Sequence, residues 1–417
     1  MILTADILFP VAGAPIPHGA VRVRGGRIVE AGPLGSLTAG RPGEPIRRFE
    51  GAAILPGLVN LHSHLEFTAL GPLAEPRPFL DWLADLVTRS RAMAEADWLA
   101  SARAGARLAL EAGMTALADI TRTGAGLEAM SRTGLKGVSA LEWVAVGEAQ
   151  VDGEWERFER RYNGLAAAGA PEGLTLGISP HSPYTLSRRA LERAGAFARE
   201  RRLPVMSHVA ETHGEVALVQ GRGGPMAPLF PSLFGLDFSA RPEKTPLAYL
   251  ERVGLLTDST LLAHGVHLSD DDLARIGAAG AALALCPTSN AMLGAGTPPD
   301  PARLDRLGVR WGVGTDSLAS VPALDLLGEA RSILGLWPST DPDRLLRAVT
   351  LDAARILRME RTGALSPGWA ADIAVVSIPA GVRDARGLIE GAGRAVQVFV
   401  DGQEKLPLPQ ASPSEIE

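Results

Sequence analysis

Eight short apolar runs, separated by stretches rich in alanine and arginine, constrain the fold of this chain more than any other feature. Short continuous apolar runs that alternate with helical stretches are typical of buried parallel strands joined by crossover helices. Eight such units predict a closed (β/α)8 barrel. The runs lie at Ile54–Leu61, Met114–Ile120, Gly137–Trp143, Leu174–Ser179, Pro204–Val209, Thr260–Ala263, Ala282–Leu285 and Val309–Gly314.

The two ends of the chain have a different pattern, dominated by short strands and turns. Alternating residues at Ala20–Arg24 and Arg27–Gly32 flank a Gly-Gly pair, which indicates a hairpin. Ala371–Val376 and Ala395–Val400 have a similar composition. We therefore expect residues 1–54 and 361–405 to form a small β-sandwich beside a barrel at 55–360, with 406–417 as a flexible tail.

Composition narrows the chemistry and the partners. A single cysteine, Cys286, excludes a disulfide framework and a cysteine zinc cage, so a metal would rest on histidine and carboxylate. The net charge of −6 and the lack of a basic tract argue against a nucleic-acid partner. Neither a signal peptide nor an apolar segment of about 18 residues is evident, which predicts a cytoplasmic protein without a membrane partner. The sequence leaves open whether the protein forms a homo-oligomer.

Polar residues follow the apolar runs at the ends where barrel enzymes place their chemistry. A single histidine in such a position is more often structural than functional. Five of the eight histidines share this predicted rim, together with an aspartate after the eighth run, and this combination favours a site: His62, His64, His181, His208, His264 and Asp316.

A catalytic metal site is the simplest interpretation of these residues. His62 and His64 are two apart in an extended segment, so both side chains point the same way and can chelate one ion. His208 and Asp316 would complete a set of three nitrogens and one oxygen with a position left for water. A bound ion lowers the pKa of that water, which favours hydrolytic chemistry.

Two further residues suit proton transfer. Glu211, three residues after His208, is placed to shuttle a proton between water and a substrate nitrogen. His264 suits a hydrogen-bond donor to the hydroxide or to the developing tetrahedral centre. The alternative, non-catalytic interpretation of Glu211 is an exposed loop carboxylate. We interpret the nearby Glu215 as such an exposed carboxylate.

Longer motifs resemble the amidohydrolase superfamily. Binuclear members carry a carboxylated lysine after the fourth strand, where this chain has His181, so the resemblance is to the mononuclear aminohydrolases and chlorohydrolases. The matching segments cover nearly the whole chain: Leu55–His64, His208–Thr212, His264–His267, Gly314–Ser317 and Gly363–Asp372.

The resemblance implies a role for each rim residue. It implies one divalent metal ion, with zinc as the first expectation and iron as the alternative, since an imidazole and carboxylate shell suits both. The ligands would be His62, His64, His208 and Asp316. The catalytic residues would be Glu211, His264 and Asp316, and His181 would contact the purine of a nucleoside substrate.

Finer features are similar to those of aminodeoxyfutalosine deaminases in menaquinone biosynthesis. They are the segments His64–Phe67, Phe79–Leu83 and the Gly/Pro-rich stretch Arg222–Pro246. This similarity implies deamination of 6-aminodeoxyfutalosine to futalosine and ammonia, with Glu66 and Trp82 in contact with the substrate. An apolar wall is predicted at Phe230, Phe234 and Phe238, and a partner for the substrate carboxylate at Arg89, Arg91 or Arg222.

Other functions stay open at this level. The same residues suit a deaminase of S-adenosylhomocysteine, methylthioadenosine or guanine, or a triazine-type chlorohydrolase. A non-catalytic scaffold on the same fold is the alternative outside enzymology, although scaffolds are expected to lose metal ligands that this chain retains.

Overall fold

The structure is a computed structural model that describes residues 1–228 and 243–406. Within these ranges the strands form two sheets of eight strands each. In chain order they are β1 Ile2–Leu8, β2 Ile16–Pro17, β3 Gly19–Arg24, β4 Arg27–Pro33, β5 Ile46–Pro56, β6 Leu58–Ser63, β7 Met114–Thr121, β8 Lys136–Trp143, β9 Leu174–Pro180, β10 Val205–Val209, β11 Thr260–His264, β12 Ala282–Leu285, β13 Arg310–Val313, β14 Ile373–Ser377, β15 Ala395–Val400 and β16 Gln403–Glu404.

Helices lie between the strands of both sheets. Within the described ranges they are α1 Leu34–Thr38, α2 Phe79–Arg91, α3 Glu95–Glu111, α4 Ala125–Thr133, α5 Val151–Ala168, α6 Arg188–Arg201, α7 His213–Val219, α8 Pro246–Arg252, α9 Asp270–Ala279, α10 Pro287–Met292, α11 Pro301–Arg306, α12 Leu326–Leu336, α13 Pro342–Ala348, α14 Leu351–Ile356 and α15 Ala385–Gly391, with short 3-10 turns at Leu65–Leu70 and Glu148–Gln150. Most of the helices follow strands β6 to β13, whereas α1 and α15 lie between strands of the other sheet. None of the described helices is long and apolar enough to cross a membrane.

Strands β6 to β13 form the barrel. Each pairs in parallel with the next strand along the chain, in the order β13-β12-β11-β10-β9-β8-β7-β6. A hydrogen bond from the backbone N–H of Asp316 to the carbonyl oxygen of His62 joins the two ends of this sheet. The predicted (β/α)8 barrel is confirmed.

The first apolar run, predicted as one strand over Ile54–Leu61, is divided between the two sheets. Its first residues end β5, and β6 begins only at Leu58. Gly57 lies between them, where a Cβ atom would collide with the side chain of Thr115. The two strands can therefore change direction here because glycine permits this close approach.

The other sheet is mixed and contains strands from both ends of the chain. Strand β5 lies between β1 and β14, so the N-terminal and C-terminal segments share one sheet as predicted. The predicted hairpin is β3 and β4, with Gly25 and Gly26 both at positive φ in its turn. The expected tail at 406–417 lies outside the described residues except for Leu406, whose side chain is buried.

Local sequence explains where several helices begin. The hydroxyl of Ser187 accepts the N–H of Ala190 at the start of α6. Ser269 and Asp272 form a reciprocal capping box at the start of α9. These contacts satisfy N–H groups that have no partner inside a helix, so each crossover helix starts at a defined point after its strand.

Candidate metal centre and active site

Three imidazoles from two barrel strands meet at the carboxyl ends of the strands. His62 and His64 come from the end of β6 and His208 from β10, and their ring nitrogens lie within 4.8 Å of one another. The Nε2 atoms of His64 and His208 are 3.3 Å apart. All three side chains are buried. The structure thus brings together three of the four residues predicted as metal ligands.

Asp316, the fourth predicted ligand, directs one carboxylate oxygen at these rings. Its Oδ1 lies 3.6 Å from Nε2 of His62 and 3.7 Å from Nε2 of His64. Its Oδ2 accepts hydrogen bonds from the hydroxyls of Ser289 at 2.6 Å and Ser320 at 2.8 Å. The two serines therefore fix the carboxylate so that Oδ1 stays available to the site.

The donor atoms fit a divalent cation. Both ring nitrogens of His62 and Nδ1 of His64 are buried without a hydrogen-bond partner among the described residues. Nδ1 of His208 hydrogen-bonds the carbonyl of His181 at 3.0 Å, which leaves its Nε2 for the site. Unpartnered buried nitrogens are costly, and a metal ion is the partner that three converging imidazoles suit.

The charges agree with a metal site. Burial and the neighbouring imidazoles lower the pKa of His62 and of His208 well below its usual value, so both rings are neutral. Burial alone would raise the pKa of Asp316, but the rings of His62, His64 and His264 outweigh it and lower that pKa to about 2. Neutral imidazoles with an ionised carboxylate are the forms that bind metal ions.

Glu211 and His264 form a second pair at the same rim. The Oε1 atom of Glu211 lies 3.8 Å from Nε2 of His264, and Nδ1 of His264 hydrogen-bonds Oδ1 of Asn290 at 2.9 Å. Burial raises the pKa of Glu211 to about 6. Burial would lower the pKa of His264, but Glu211 and Asp316 outweigh it and raise that pKa. A carboxyl with a pKa near neutrality can both donate and accept a proton.

The backbone at these strand ends is unusual. His264 has a φ of 69° and Asp316 a φ of 61°, and Ala210 before Glu211 has a φ of 48°. Residues other than glycine seldom adopt positive φ, and such conformations cluster at functional sites. The three turns carry the strand-end side chains of β10, β11 and β13 into the site.

Glu215 corrects the sequence interpretation of an exposed loop carboxylate. It is fully buried, and its two carboxylate oxygens accept the backbone N–H groups of Ala210 and Glu211, both at 2.9 Å. Burial raises its pKa to about 7. Glu215 therefore holds the turn that carries Glu211. The Thr212-x-x-Glu215 spacing, typical of a capping box, is the sequence signal that could have revealed it.

His181 lies beside the imidazole cluster, directly after β9. Its ring centroid is 4.6 Å from that of His208, and its Nδ1 lies within hydrogen-bond distance of the hydroxyls of Ser182 and Thr185. Burial lowers its pKa to about 4, so the ring is neutral. Both of these contacts are made through Nδ1, and the contact of His181 with a substrate stays a prediction.

Glu66 is placed differently from the predicted substrate contact. Its carboxylate accepts the backbone N–H groups of Arg122, Thr123 and Ala125 and the hydroxyls of Thr121 and Thr123. The side chain is 1% exposed. These bonds use both oxygens to hold the loop between β7 and α4, so we assign Glu66 a structural role there.

Trp82 bridges two parts of the rim. Its indole N–H donates to the carbonyl of Ala319 at 2.7 Å, and its ring packs on Phe79. The ring therefore ties α2 to the loop that carries Asp316. Trp82 is half-buried, and its substrate contact stays a prediction.

The residues predicted for the distal part of a substrate are scattered. Phe230, Phe234 and Phe238 lie outside the described residues. Arg89 hydrogen-bonds the carbonyl of Leu70, and Arg222 is exposed. Arg91 lines a cavity together with Arg122 and Trp143.

Helix α10 supplies residues that sequence reasoning missed. Its consecutive residues Ser289 and Asn290 contact Asp316 and His264, and the N–H of Thr288 donates to the buried carboxylate of Glu329 on α12 at 3.0 Å. The apolar run before α10 received no site residue in the sequence analysis. The polar sequence that follows it, Thr288-Ser289-Asn290, is the sequence signal available there.

The fold and the site together define a class of protein. An eight-stranded barrel of the described residues presents neutral imidazoles, an ionised carboxylate and a buried acid at the ends of its strands. This is a barrel hydrolase with a histidine-rich site for a metal ion.

Comparison with known proteins gives the family. A model of the amidohydrolase family matches residues 53–405, and the chain belongs to this family. It is 31% identical to an aminodeoxyfutalosine deaminase from Deinococcus radiodurans over 85% of each chain. It is 30% identical to a 5-methylthioadenosine/S-adenosylhomocysteine deaminase from Symbiobacterium thermophilum over 90% of this chain and 85% of that one.

Solved structures share the fold across the chain. The aminofutalosine deaminase of Helicobacter pylori, in complex with methylthio-coformycin, superimposes with a TM-score of 0.84 at 21% identity and covers 97% of this chain and 99% of that one. An adenosine deaminase from Xanthomonas campestris with bound zinc has a TM-score of 0.80 at 24% identity, over 97% and 92%.

Proposed function

We propose that this hydrolase deaminates a 6-aminopurine nucleoside with water. The observation that carries the proposal is the Glu211–His264 pair, 3.8 Å apart, at the same rim as the imidazole cluster. A buried acid beside a hydrolytic centre suits a reaction in which a ring nitrogen must be protonated. The relatives named as deaminases of adenine nucleosides support the same reaction class.

One zinc ion is the proposed cofactor, and His62, His64, His208 and Asp316 would hold it. Bound zinc lowers the pKa of water so that hydroxide is available near neutral pH. The neutral state of the buried imidazoles and the zinc in the Xanthomonas campestris adenosine deaminase support this assignment. Iron is the alternative, since the same donors bind it.

The proposed proton transfers involve the Glu211–His264 pair. Glu211, with its pKa near 6, donates a proton to N1 of the purine while hydroxide adds to C6. His264 and Asp316 orient the attacking oxygen and accept its proton. A proton then passes to the amino group, the C6–N bond breaks and ammonia leaves, so water and the amine give the 6-oxopurine and ammonia.

His181 is proposed to orient the purine. Its Nδ1 is engaged by Ser182 and Thr185, which fixes the ring and leaves Nε2 to hydrogen-bond the base. A neutral imidazole can either donate or accept a hydrogen bond through Nε2. Which of the two it does depends on the tautomer, which in turn depends on whether the hydroxyls of Ser182 and Thr185 donate to Nδ1 or accept from it.

The particular nucleoside we propose is 6-aminodeoxyfutalosine. The similarity to the Deinococcus radiodurans protein over most of both chains supports it. S-adenosylhomocysteine or methylthioadenosine is the second candidate, because the Symbiobacterium thermophilum relative has almost the same identity.

The test is a comparison of kcat/KM for these nucleosides with the zinc-loaded enzyme and its E211Q variant. We expect 6-aminodeoxyfutalosine to be the best substrate, and E211Q to retain zinc but lose about 10² to 10⁴ in kcat. Full activity of E211Q would remove Glu211 from the mechanism. A wild-type enzyme that releases ammonia from no adenine nucleoside would disprove the function.

A further inference from the structure

One buried carboxyl group contacts the chain on both sides of His64. Oδ1 of Asp119, on β7, accepts the backbone N–H of Leu65 at 2.8 Å and lies 3.4 Å from the hydroxyl of Ser63, which donates to it. We propose that Asp119 is a positioning residue that fixes the direction of the His64 imidazole toward the metal ion. The inference rests on the zinc site of the proposed function and adds the residue that orients one of its ligands.

His64 needs such support because its ring is not held by a hydrogen bond behind the site. Its Nδ1 is buried without a hydrogen-bond partner among the residues that the structure describes. His208 differs, because its Nδ1 hydrogen-bonds the carbonyl of His181 at 3.0 Å. The direction of the His64 ring therefore depends on its backbone and on packing, including the ring of Phe67, which stacks on it at 5.3 Å.

The backbone at His64 is outside regular strand pairing. Strand β6 ends at Ser63 and a 3-10 turn begins at Leu65, so His64 lies between the two elements. The pairing of β6 with β7 also has a register shift between Asn60 and Ser63. Strand pairing therefore becomes irregular just before His64, and the side chain of Asp119 holds the chain at this point.

Glu66 makes a second connection between the same segments, in the opposite direction. Its carboxylate, two residues after His64, accepts backbone N–H groups in the loop between β7 and α4. Asp119 thus reaches from β7 to the turn, and Glu66 reaches from the turn to the loop that follows β7. A shift of residues 63–66 would break bonds of both acids, so the position of His64 is fixed from both sides.

The surroundings of Asp119 fit this role. Its side chain is 0% exposed. A Cβ atom at Gly126, near the start of α4, would collide with Oδ2 of Asp119, so glycine leaves room for the carboxyl group there. Oδ2 has no hydrogen-bond partner within the described part of the chain. A buried carboxyl with one oxygen unpartnered costs stability, and the bonds of its other oxygen to the neighbours of His64 give a reason for its presence.

The alternative role for Asp119 is stabilisation of the fold alone. In that case its removal would lower the free energy of unfolding and leave the zinc affinity of the folded protein unchanged. A positioning role requires the zinc affinity itself to fall. The zinc affinity of the folded, metal-free protein therefore distinguishes the two roles.

The variants separate the hydrogen-bond acceptor from the bulk of the side chain. D119A removes the acceptor, whereas D119N keeps an oxygen that can accept the N–H of Leu65. Burial raises the pKa of Asp119 well above its usual value, which favours the neutral acid and makes asparagine a close match in charge. T115A is the matched control, because Thr115 is a buried residue of the same strand whose hydroxyl has no hydrogen-bond partner among the described residues.

G126A reaches Asp119 from the other side. The added methyl group displaces the carboxyl group without changing its chemistry. Because alanine is a better helix former than glycine, this variant favours α4 and keeps the inference testable if D119A does not fold. In that case, unchanged zinc affinity of G126A would overturn the inference and reduced affinity would support it.

Chelator competition measures the zinc affinity, and the visible absorption of the cobalt-substituted protein reports the coordination geometry. We expect D119A to lower zinc affinity about 10- to 100-fold and to change the cobalt spectrum. G126A should act in the same direction, D119N should retain most of the affinity, and T115A should match wild type. Unchanged affinity in D119A, or an equal loss in D119A and T115A, would overturn the inference. A loss in D119N as large as that in D119A would also overturn it, because asparagine keeps the acceptor.

This inference and the proposed function fail in different ways. If the wild-type protein binds zinc but deaminates no adenine nucleoside, the function is wrong, and the chelator titrations still decide the role of Asp119. If the zinc enzyme is active and D119A keeps full zinc affinity, the function stands and the role of Asp119 is wrong. If the wild-type protein binds no divalent metal ion, the zinc assignment and this inference are both wrong.

Discussion

The backbone N–H of Asp316 donates to the carbonyl oxygen of His62 at 2.9 Å, where the last barrel strand returns to the first. The two residues whose backbones close the barrel also direct their side chains at one another, with Oδ1 of Asp316 3.6 Å from Nε2 of His62. The contact that closes the barrel therefore also brings together two residues of the candidate metal centre. A change that loosens this seam should weaken the centre as well as the fold.

The serines that orient Asp316 should control metal affinity. S289A/S320A removes both hydroxyl donors to Oδ2, so the carboxylate loses its fixed direction. We expect zinc affinity to fall about 10- to 100-fold, as is usual when such orienting partners are removed. A chelator-competition titration measures it, with S332A on the outer face of α12 as control. Unchanged affinity in the double variant would show that Asp316 is positioned by the backbone alone.

Asn290 should affect the turnover rate but not the binding of zinc. Its Oδ1 is the hydrogen-bond partner of Nδ1 of His264, and N290L removes it without removing a proposed ligand. A buried polar group left without its partner costs about 1–3 kcal/mol, so we expect kcat to fall about 10- to 100-fold with full zinc content. Saturating kinetics and metal analysis measure the two quantities. N163L on exposed α5 is the control, and loss of zinc in N290L would contradict this division of roles.

Lys136 should stabilise the protein without affecting catalysis. It begins β8, at the opposite end of that strand from the site, and its Nζ contacts the carboxylates of Asp372 and Asp401 in the terminal sheet at 2.9 and 2.7 Å. K136M leaves Asp372, which is 2% exposed, without its cation. We expect a loss of about 3 kcal/mol in unfolding free energy by urea denaturation, with kcat unchanged. K244M, at an exposed position, should have neither effect.

Much of the barrel architecture was predictable because each strand has its own local sequence pattern. The apolar runs and the strand-end polar residues report on single strands, and a barrel of such strands brings His62, His208 and Asp316 to one rim. The split of the first run at Gly57 was missed because periodicity does not distinguish one long strand from two that belong to different sheets.

The contacts that hold the site residues in place were less predictable because they join residues far apart in the sequence. Asn290 meets His264 across 26 residues, and the loop held by Glu66 lies more than 50 residues further along the chain. Nothing near these residues in the sequence indicates their partners. Glu215 is the exception, since its capping-box spacing from Thr212 is local, although only the structure shows that its carboxylate reaches Glu211.

Glu329 should make stability depend on pH. Burial raises its pKa from 4.5 to about 8, and its carboxylate accepts the N–H of Thr288 at the start of α10. Between these values the folded protein holds a proton that the unfolded chain has released. The free energy of unfolding therefore decreases as pH rises through this window, by at most about 1.4 kcal/mol per pH unit from this group.

The E329Q variant isolates this contribution, because glutamine stays neutral at every pH. We expect its unfolding free energy to decrease less than that of wild type between pH 5 and 8, measured by urea denaturation of the zinc-loaded protein. Other buried acids, such as Glu215, titrate in both proteins and cancel in the difference. E156Q, at an exposed position of α5, should follow wild type. Parallel pH profiles for E329Q and wild type would mean that Glu329 is ionised in the folded state.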